Sequence, residues 1–383
     1  MKGFALKLTD WAFRLPWSIL IIIIPLVGLG WLGIARCEEL TGGSGRFLYR
    51  QMAWSLIAAV AMIGATLPNY RILQRWSYPV FLMTLGLLVA VYFFPPVNNA
   101  RRWLRLGPLS LQPSELAKLA YLLALARYLM YRENFRQLRG LVGPLFLTLL
   151  PVLLVLREPD LGTALVFLPV FFLMLFVAGA RAKHLAILVL IGLMAVPLLW
   201  SQMSREQKSR VTALFDQAVP GQRPSDDAYH LYQSKQMIAL GGGWGSLILG
   251  DAVDDPAAYR LPEARSDFIF CVLGERLGIA GMAAVLVLFG LFAWRGLAIA
   301  SATREPFGRL VATGVVAMIG VEVLINTGMT VGLLPITGLP LPFLSYGGSG
   351  LLAHALMVGL LMNIGMRPGY EIANEPFRYE AGV

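Results

Sequence analysis

Residues 260–278 read RLPEARSDFIFCVLGERLG, and they contain the change from a polar to an apolar segment around which the chain is organised. A long polar stretch that starts at about Ser201 ends at Asp267, and an apolar run begins at the next residue. A carboxylate that stands where a loop enters a membrane helix is costly to keep, so it indicates a working site. A capping carboxylate at a helix start explains Asp267 equally well on physical grounds alone.

The apolar residues fall into blocks long enough to cross a bilayer, which takes about 20 helical residues. Of the 383 residues, 57% are hydrophobic and 14% are charged. We therefore predict an all-α polytopic membrane protein with about ten transmembrane helices, in one membrane domain over residues 1–383. A large extracytoplasmic loop, residues 202–266, is predicted between helices 7 and 8. The predicted spans are approximately residues 16–35, 51–68, 77–95, 115–131, 141–157, 160–180, 184–201, 267–294, 309–333 and 344–366.

The chain is basic, with a net charge of +10. Most basic residues of the short connections lie on one side of the predicted membrane, as the positive-inside rule requires, so the charge does not indicate nucleic acid binding. This asymmetry predicts that both termini are cytoplasmic and that the 202–266 loop is outside. The cysteines and histidines are scattered and show no disulfide or metal-ligand spacing. They are Cys37, Cys271, His184, His230 and His354.

The outer side also carries NNARRWLRLGPLSLQPSELAKLA, residues 98–120. Glu115 and Lys118 are three residues apart and share one face of the fourth span, where an ion pair neutralises two charges that lipid would not tolerate singly. A structural clamp between helices and a functional role are equally good explanations of this pair. Arg101 and Arg102 oppose the positive-inside trend, which an anionic head group or pyrophosphate would explain, as would a simple interfacial anchor.

Two further segments on the same side carry polar residues. In LREPDLGTALVF, residues 156–167, Asp160 lies at the positive end of the sixth span, where helix capping is the simpler explanation. In YHLYQSKQMIALGGGWGSLILG, residues 229–250, the glycines permit a close approach of backbone to a ligand or a neighbouring helix. The polar groups of the loop that are candidates to face a ligand are Arg210, Gln233, Ser234 and Lys235.

The connection between the last two spans is NTGMTVGLLPITGLPLPFLSYGGSGLL, residues 326–352. Its prolines and glycines, with almost no charge, indicate non-helical backbone at membrane depth, which is tolerated only inside protein or along a cavity. We expect this segment to shape a groove to which Ser345 and Tyr346 contribute hydroxyl groups.

Five motifs occur in the order in which the SEDS family has them. They are RRW, QPSELAKL, EPDLGTA, LPEARSDFIF with GERLG, and GLLPITGLPLPFLSYGGSG. The chain resembles this family of RodA, FtsW and SpoVE proteins from about Arg101 to Gly350. PITGLPLP favours the RodA side, which serves cell elongation, whereas LPEA before the aspartate favours the FtsW side, which serves division, and we prefer the RodA side. The family usually has His-Thr before the aspartate, where this chain has Arg265 and Ser266.

This resemblance implies a peptidoglycan glycosyltransferase of the bacterial cytoplasmic membrane that polymerises lipid II on the outer face. The family's essential aspartate matches Asp267, its glutamate and lysine match Glu115 and Lys118, and the aspartate of PDLGT matches Asp160. The implied partners are a class B penicillin-binding protein, lipid II, and the undecaprenyl-pyrophosphate-linked glycan. No cofactor can be assigned, although a divalent cation at the pyrophosphate stays open.

Two other functions fit a ten-helix protein with charges inside the membrane. A lipid II flippase would move the same lipid across the bilayer, although the polar residues cluster on one side and no inverted repeat is evident. A scaffold would only recruit the transpeptidase, which would leave Asp267, Glu115 and Lys118 with no role beyond packing.

Overall fold

A computed structural model gives the structure of the chain and describes residues 11, 13–96, 101–106, 109–131, 137–158, 160–215, 226–253 and 256–367. Thirteen α-helices are numbered here in chain order. The first seven are α1 (Trp17–Leu40), α2 (Arg46–Thr66), α3 (Tyr70–Ala90), α4 (Pro113–Met130), α5 (Val142–Arg157), α6 (Leu161–Ala178) and α7 (Ala182–Gln202). The others are α8 (Arg205–Thr212), α9 (Asp226–Gly241), α10 (Ser246–Leu249), α11 (Ile269–Ala302), α12 (Pro306–Val331) and α13 (Gly348–Gly365).

The predicted architecture is confirmed. Nine helical segments in the described ranges are long and apolar enough to cross a membrane, and α4 is the tenth long helix, although Glu115, Lys118 and Arg127 make it more polar. Three further helices, α8 to α10, lie in the predicted loop between the seventh and eighth membrane-spanning helices and have 8, 16 and 4 residues. The chain is therefore a multi-pass helical membrane protein.

Several helices extend beyond the predicted spans, and charged residues belong to the extensions. Helix α2 begins at Arg46 rather than near residue 51, and α11 continues past residue 294 to Ala302. Helix α1 continues past residue 35 to Leu40, since Arg36 is buried against Glu275 of α11 and need not reach water. Helix α3 begins at Tyr70 rather than near residue 77, and Asn69 caps it by accepting a hydrogen bond from the Arg71 N–H. Hydropathy alone places helix ends where charges begin, which fails when protein rather than lipid surrounds the charge.

Strands β1 (Leu104–Leu106) and β2 (Leu109–Leu111) pair antiparallel directly before α4. Arg105 is opposite Ser110 in the register. This hairpin brings the segment that precedes α4 to the start of α13, because the Ser349 hydroxyl donates to the Ser110 carbonyl at 2.8 Å.

Helices α4, α12 and α13 form the centre of the bundle. The buried share of the apolar window is 78% in α12 and 72% in α13, whereas it is 0% in α7, which lies at the edge. Helix α13 packs on α2, α11 packs on α1 and α12, and the loop helix α9 packs on α11. The loop helices are thus attached to the bundle at the end where α7 finishes and α11 begins, which we call the loop end.

Helix α11 is interrupted at Gly278, which has φ 69° and ψ −170°. The N–H groups of Ile279 and Ala280, freed by this break, donate to the carbonyls of Gly242 and Gly243 at 2.9 and 3.3 Å. The glycines of the loop therefore permit contact with a neighbouring helix, one of the two uses that their sequence predicts.

Candidate active site

A cavity of 430 Å³ lies at the loop end of the bundle, and we call it the loop-end cavity. Its walls come from α2, the β-hairpin and the two residues before it, the starts of α4, α6 and α13, and the two non-helical segments before α11 and α13. Six of the candidate site residues line it, namely Arg102, Glu115, Asp160, Asp267, Ser345 and Tyr346. The three carboxylates Glu115, Asp160 and Asp267, far apart in the sequence, thus face one space.

Asp267 is held by its main chain, while its carboxylate faces the loop-end cavity. Its N–H donates to the Glu263 carbonyl at 3.0 Å, and its own carbonyl accepts from the Asn326 amide at 2.8 Å. The residue in the N-cap position of α11 is Phe268, and no side chain caps that helix by a hydrogen bond. Capping, the competing explanation of Asp267, therefore has no support in the hydrogen bonding of this helix start.

The electrostatics of the loop-end cavity favour a carboxyl group that can take up a proton. Burial raises the pKa of Asp267 from its usual value to about 6, and the nearby Glu263 carboxylate acts in the same direction. The Ser266 hydroxyl and the Arg210 guanidinium oppose this rise in pKa, and Asp160 adds to it. A base with a pKa near the working pH combines ionisation with proton affinity, as general base catalysis requires.

Arg210 of α8 lies close to Asp267. A Cβ atom placed on Gly338 would be 3.4 Å from Asp267 Oδ2 and 3.7 Å from Arg210 Nη1, so the two groups flank this glycine. The absence of a side chain at Gly338 keeps the space between carboxylate and guanidinium open.

Asp160 both caps a helix and faces the loop-end cavity. Its Oδ1 accepts from the Thr163 N–H at 3.2 Å, and its Oδ2 accepts from the Thr163 hydroxyl at 3.0 Å. The Gln112 side-chain amide also donates to Oδ2, at 3.1 Å. The capping expected from the sequence is present, and it fixes the carboxylate at the wall of the cavity.

Glu115 and Lys118 form the expected ion pair, with 2.9 Å between Lys118 Nζ and Glu115 Oε2. Glu115 lines the loop-end cavity, whereas Lys118 is fully buried and does not. Two residues that our sequence reasoning missed complete this group. Glu322 accepts from Lys118 at 2.5 Å through Oε1, and His354 lies 2.5 Å from Glu322 Oε2. A charge in the middle of the apolar span 309–333 is the signal that could have revealed Glu322.

The arginines before α4 have different positions. Arg102 lines the loop-end cavity, and its Nε donates to the Glu158 carbonyl at 2.9 Å. Arg101 is exposed, donates to the Tyr92 carbonyl at 2.7 Å, and is not part of the cavity wall. Burial raises the pKa of the adjacent Glu158 to about 8, and Asp160 contributes to the same shift. Of the two arginines, only Arg102 is placed to meet an anion in the cavity.

Arg265 lines the loop-end cavity but stacks on aromatic rings. Its guanidinium lies 3.9 Å from the ring centroid of Phe47 and 6.0 Å from that of Tyr346. The Tyr346 N–H donates to the Arg265 carbonyl at 2.8 Å, and the Ser345 hydroxyl donates to the Ser266 carbonyl. The two segments that frame the cavity are thereby tied together, and the arginine that precedes the aspartate in sequence is directed to Phe47.

The polar triplet of α9 is not brought to the loop-end cavity. The Gln233 amide donates to the Ala258 carbonyl at 2.6 Å, and the Ser234 hydroxyl donates to the Thr330 carbonyl at 2.8 Å. Lys235 is partly exposed and is not among the residues that line the cavity. Gln233 thus links two parts of the loop, and Ser234 attaches the loop to α12, so only Arg210 of the four loop candidates lies near Asp267.

Two non-glycine residues of the described chain have positive φ, Glu263 at 51° and Phe343 at 65°. Both line the loop-end cavity. Such backbone geometry concentrates at functional sites.

For metal binding, the described ranges contain no group of three or more His, Cys, Asp or Glu side chains that could hold an ion, so we derive no step through a cation.

Known proteins of one family are similar to this chain over most of its length. A family model of FtsW, RodA and SpoVE type, described as a cell cycle protein, matches residues 13–368. Stage V sporulation protein E of Bacillus subtilis strain 168 is 36% identical over 327 residues, with 83% of this chain and 86% of that protein covered. A probable peptidoglycan glycosyltransferase FtsW of Geobacter sp. strain M18 is 35% identical over 331 residues, with 84% and 87% covered.

Solved structures show the same arrangement of helices. One is a chain of a peptidoglycan synthase complex that is described as coordinating polymerization and crosslinking. It superposes with a TM-score of 0.80 at 31% identity, and the match covers 93% of this chain and 99% of that chain. The rod shape determining protein RodA of Thermus thermophilus superposes with a TM-score of 0.68 at 30% identity and covers 93% and 98%.

Proposed function

The chain belongs to the FtsW, RodA and SpoVE family, also called SEDS, and from that premise we propose that it is a peptidoglycan glycosyltransferase that polymerises lipid II. The observation that carries the proposal is the partly buried carboxyl group of Asp267, which shares one cavity with Asp160 and Glu115. We propose that residues 1–383 act as one membrane domain with this cavity open to the outer face of the cytoplasmic membrane.

The proposed reaction is a single displacement at the anomeric carbon of the donor. A sugar hydroxyl of the acceptor forms a bond to C1 while the bond from C1 to the pyrophosphate oxygen breaks, and the electron pair leaves with undecaprenyl pyrophosphate. Asp267 accepts the hydroxyl proton as general base. The donor is α-linked and the product β-linked, so the reaction inverts configuration at C1.

The leaving pyrophosphate needs positive charge more than it needs an acid. Arg102 lines the loop-end cavity and Arg210 flanks Gly338 beside Asp267, which makes them our candidates to stabilise the developing negative charge. Arg101 lies outside the cavity wall, so we assign it no contact with the reacting groups.

The remaining residues of the cavity wall support this arrangement. Asp160 is fixed by Thr163 and Gln112, and Glu115 is fixed by Lys118. Because Lys118 has no exposed surface, we propose that it acts as a positioning residue through Glu115 rather than by touching substrate. Ser345 and Tyr346 hold the segment that contains Asp267 through hydrogen bonds to residues 265 and 266.

We further propose that a class B penicillin-binding protein is the partner. The similarity to a chain of a peptidoglycan synthase complex that coordinates polymerization with crosslinking supports this proposal. Between the two branches of the family we propose the RodA-like role in elongation, which the PITGLPLP segment favours. The similarity to an FtsW protein favours the role in division. Rescue of rod shape in cells depleted of their elongation polymerase would support the first role, and rescue of division alone would contradict it.

Purified protein, reconstituted in vesicles with its partner and supplied with labelled lipid II, separates the three candidate functions. Glycan ladders on a gel are the expected result for a polymerase. Movement of lipid II between leaflets without ladders would support the flippase, and binding of the partner without either activity would support the scaffold.

A further inference from the structure

Four ionisable side chains form one buried group beneath the loop-end cavity, and we call them the buried tetrad: Glu115, Lys118, Glu322 and His354. They come from three helices, with Glu115 and Lys118 on α4, Glu322 on α12 and His354 on α13. Their exposed fractions are 2%, 0%, 1% and 1%, so their charges must be balanced mainly within the group.

Glu322 is the centre of the buried tetrad. Its Oε1 accepts from Lys118 Nζ at 2.5 Å, and its Oε2 lies 2.5 Å from His354 Nε2. Lys118 is also 2.9 Å from Glu115 Oε2. The four groups therefore form a chain from Glu115 through Lys118 and Glu322 to His354, and the two ends of this chain, Glu115 and His354, both line the cavity.

With both carboxylates ionised, the net charge of this chain depends on whether His354 carries a proton. With a neutral His354, one lysine cation faces the carboxylates Glu115 and Glu322, and the group carries a net charge of −1. With a protonated His354, two cations balance two carboxylates and the net charge is zero. A net charge buried in the centre of a membrane bundle is strongly unfavourable, whereas a balanced and hydrogen-bonded group is tolerated.

We propose that Glu322 and His354 are positioning residues of the active site, and that a protonated His354 balances the charge of the buried tetrad. This second ion pair holds Lys118, which in turn holds the Glu115 carboxylate at the wall of the loop-end cavity. Neither Glu322 nor His354 is required to touch substrate. The link to catalysis rests on the proposed polymerase function, while the charge balance itself does not.

The proposal predicts an asymmetric result for three variants. Glu322→Gln leaves Lys118 with Glu115 and permits a neutral His354, so the net charge stays zero. His354→Asn leaves one cation with two carboxylates, so the net charge becomes −1. The double variant Glu322→Gln/His354→Asn restores zero, because only Lys118 and Glu115 remain charged.

The experiment measures lipid II polymerisation and thermal unfolding for the wild type, both single variants and the double variant, each in complex with the partner. We expect His354→Asn to lower kcat by at least about tenfold, and the double variant to recover to the level of Glu322→Gln. Such rescue would not follow from packing, because the double variant fills the space beside α12 no better than His354→Asn does. His184→Asn, a histidine change on the peripheral helix α7, is the matched control and should leave kcat unchanged.

Two results would overturn the proposal. One is a His354→Asn protein with wild-type kcat and stability, which would mean that the histidine carries no needed charge. The other is a double variant as impaired as His354→Asn.

If His354→Asn does not accumulate in membranes, the amount of protein in membranes becomes the measurement. We then expect the double variant to accumulate to the level of Glu322→Gln, and failure to do so contradicts the proposal. If the wild type makes no glycan, the proposed function fails, while the thermal unfolding of the four proteins still tests the charge balance.

Discussion

At the scale of single residues, the catalytic proposal depends on the proton affinity of Asp267. Burial raises the pKa of this carboxyl to about 6, Glu263 adds to the rise, and Ser266 and Arg210 oppose it. Glu263 is held at positive φ and accepts the Ser266 hydroxyl at 2.9 Å, so its position is determined by the same turn that places Asp267. A general base works in its ionised form, so the active fraction increases as pH rises through this pKa.

The pH dependence of the reaction is the first prediction. We expect kcat/KM to fall below pH 6 and to level off above it, because protonated Asp267 cannot accept the hydroxyl proton. Glu263→Gln removes the second cause of the raised pKa, so the acidic limb should move to lower pH while polymerisation above the limb persists. Glu39→Gln, a change of a side chain that is 58% exposed and outside the cavity wall, is the control and should leave the limb in place. An acidic limb unaffected by Glu263→Gln would contradict this electrostatic account.

The sequence predicts those cavity residues whose charge is costly to place at or within the membrane. Asp267 and Glu115 stand where polar residues are expensive, and for that reason the sequence distinguishes them. The direction in which a helix faces cannot be read in the same way, so Arg210 and Gln233 are equivalent in sequence although only Arg210 lies beside Asp267. His354 has its partner Glu322 on another helix, 32 residues away in the chain, and only the packing of α12 against α13 brings them together.

At the scale of helices and loops, the break at Gly278 joins the loop to α11, the helix that follows the candidate base. The first part of the helix, from Ile269 to Glu275, is buried, and Glu275 pairs with Arg36 of α1 at 2.8 Å. The rest of α11 continues for more than 20 residues along the bundle. The glycine segment 241–245 accepts the hydrogen bonds released at the break, so loop and helix stabilise each other.

Gly278→Ala is the prediction at this scale. The φ of 69° disfavours any other residue, and a Cβ atom would lie 2.5 Å from the Trp244 nitrogen and equally close to the Gly243 carbonyl carbon. We expect a loss of unfolding free energy of at least about 1–3 kcal/mol, measured as a lower thermal midpoint of the purified protein. Gly290→Ala in the same helix meets open space and should be neutral or stabilising by about 0.5–1 kcal/mol. Equal midpoints for the two variants would contradict the structural role of the break.

The number of membrane-spanning helices could be predicted because bilayer thickness fixes the length of an apolar helix. The interruption of α11 could not be predicted, since the glycines of GERLG could equally serve close packing of helices. The start of the third helix at Tyr70 rather than near residue 77 has a different cause, because basic residues lower the hydropathy of a segment and can still extend a helix into the interface.

At the scale of the molecule, the bundle has a buried centre and an exposed edge. Helices α4, α12 and α13 carry the buried tetrad, and α7 has none of its apolar window buried. The loop end carries the cavity, and the proposal that this end faces outward comes from the distribution of basic residues in the short connections. Sequence alone can give this orientation because the bias acts on insertion, before any tertiary contact forms.

Cysteine labelling in intact cells tests the orientation. Leu247→Cys lies on the loop helix α10 at a position that is 50% exposed, and we expect a membrane-impermeant maleimide to label it from outside. Ser301→Cys lies near the other end of α11 and should be labelled only after the cells are permeabilised. The native thiols Cys37 and Cys271 are buried and should contribute little background. The reverse pattern of labelling would contradict the outward position of the loop-end cavity.

The central claim is that Asp267 is the base of a lipid II polymerase, and the most direct test is the length distribution of glycan made by Asp267→Asn. This variant keeps the size of the side chain and removes the ability to accept the proton. In reconstituted vesicles that contain the partner and labelled lipid II, the wild type should give glycan ladders, and Asp267→Asn should give none while it unfolds at the same temperature and still binds the partner. Ladders from Asp267→Asn at a rate close to that of the wild type would contradict the account.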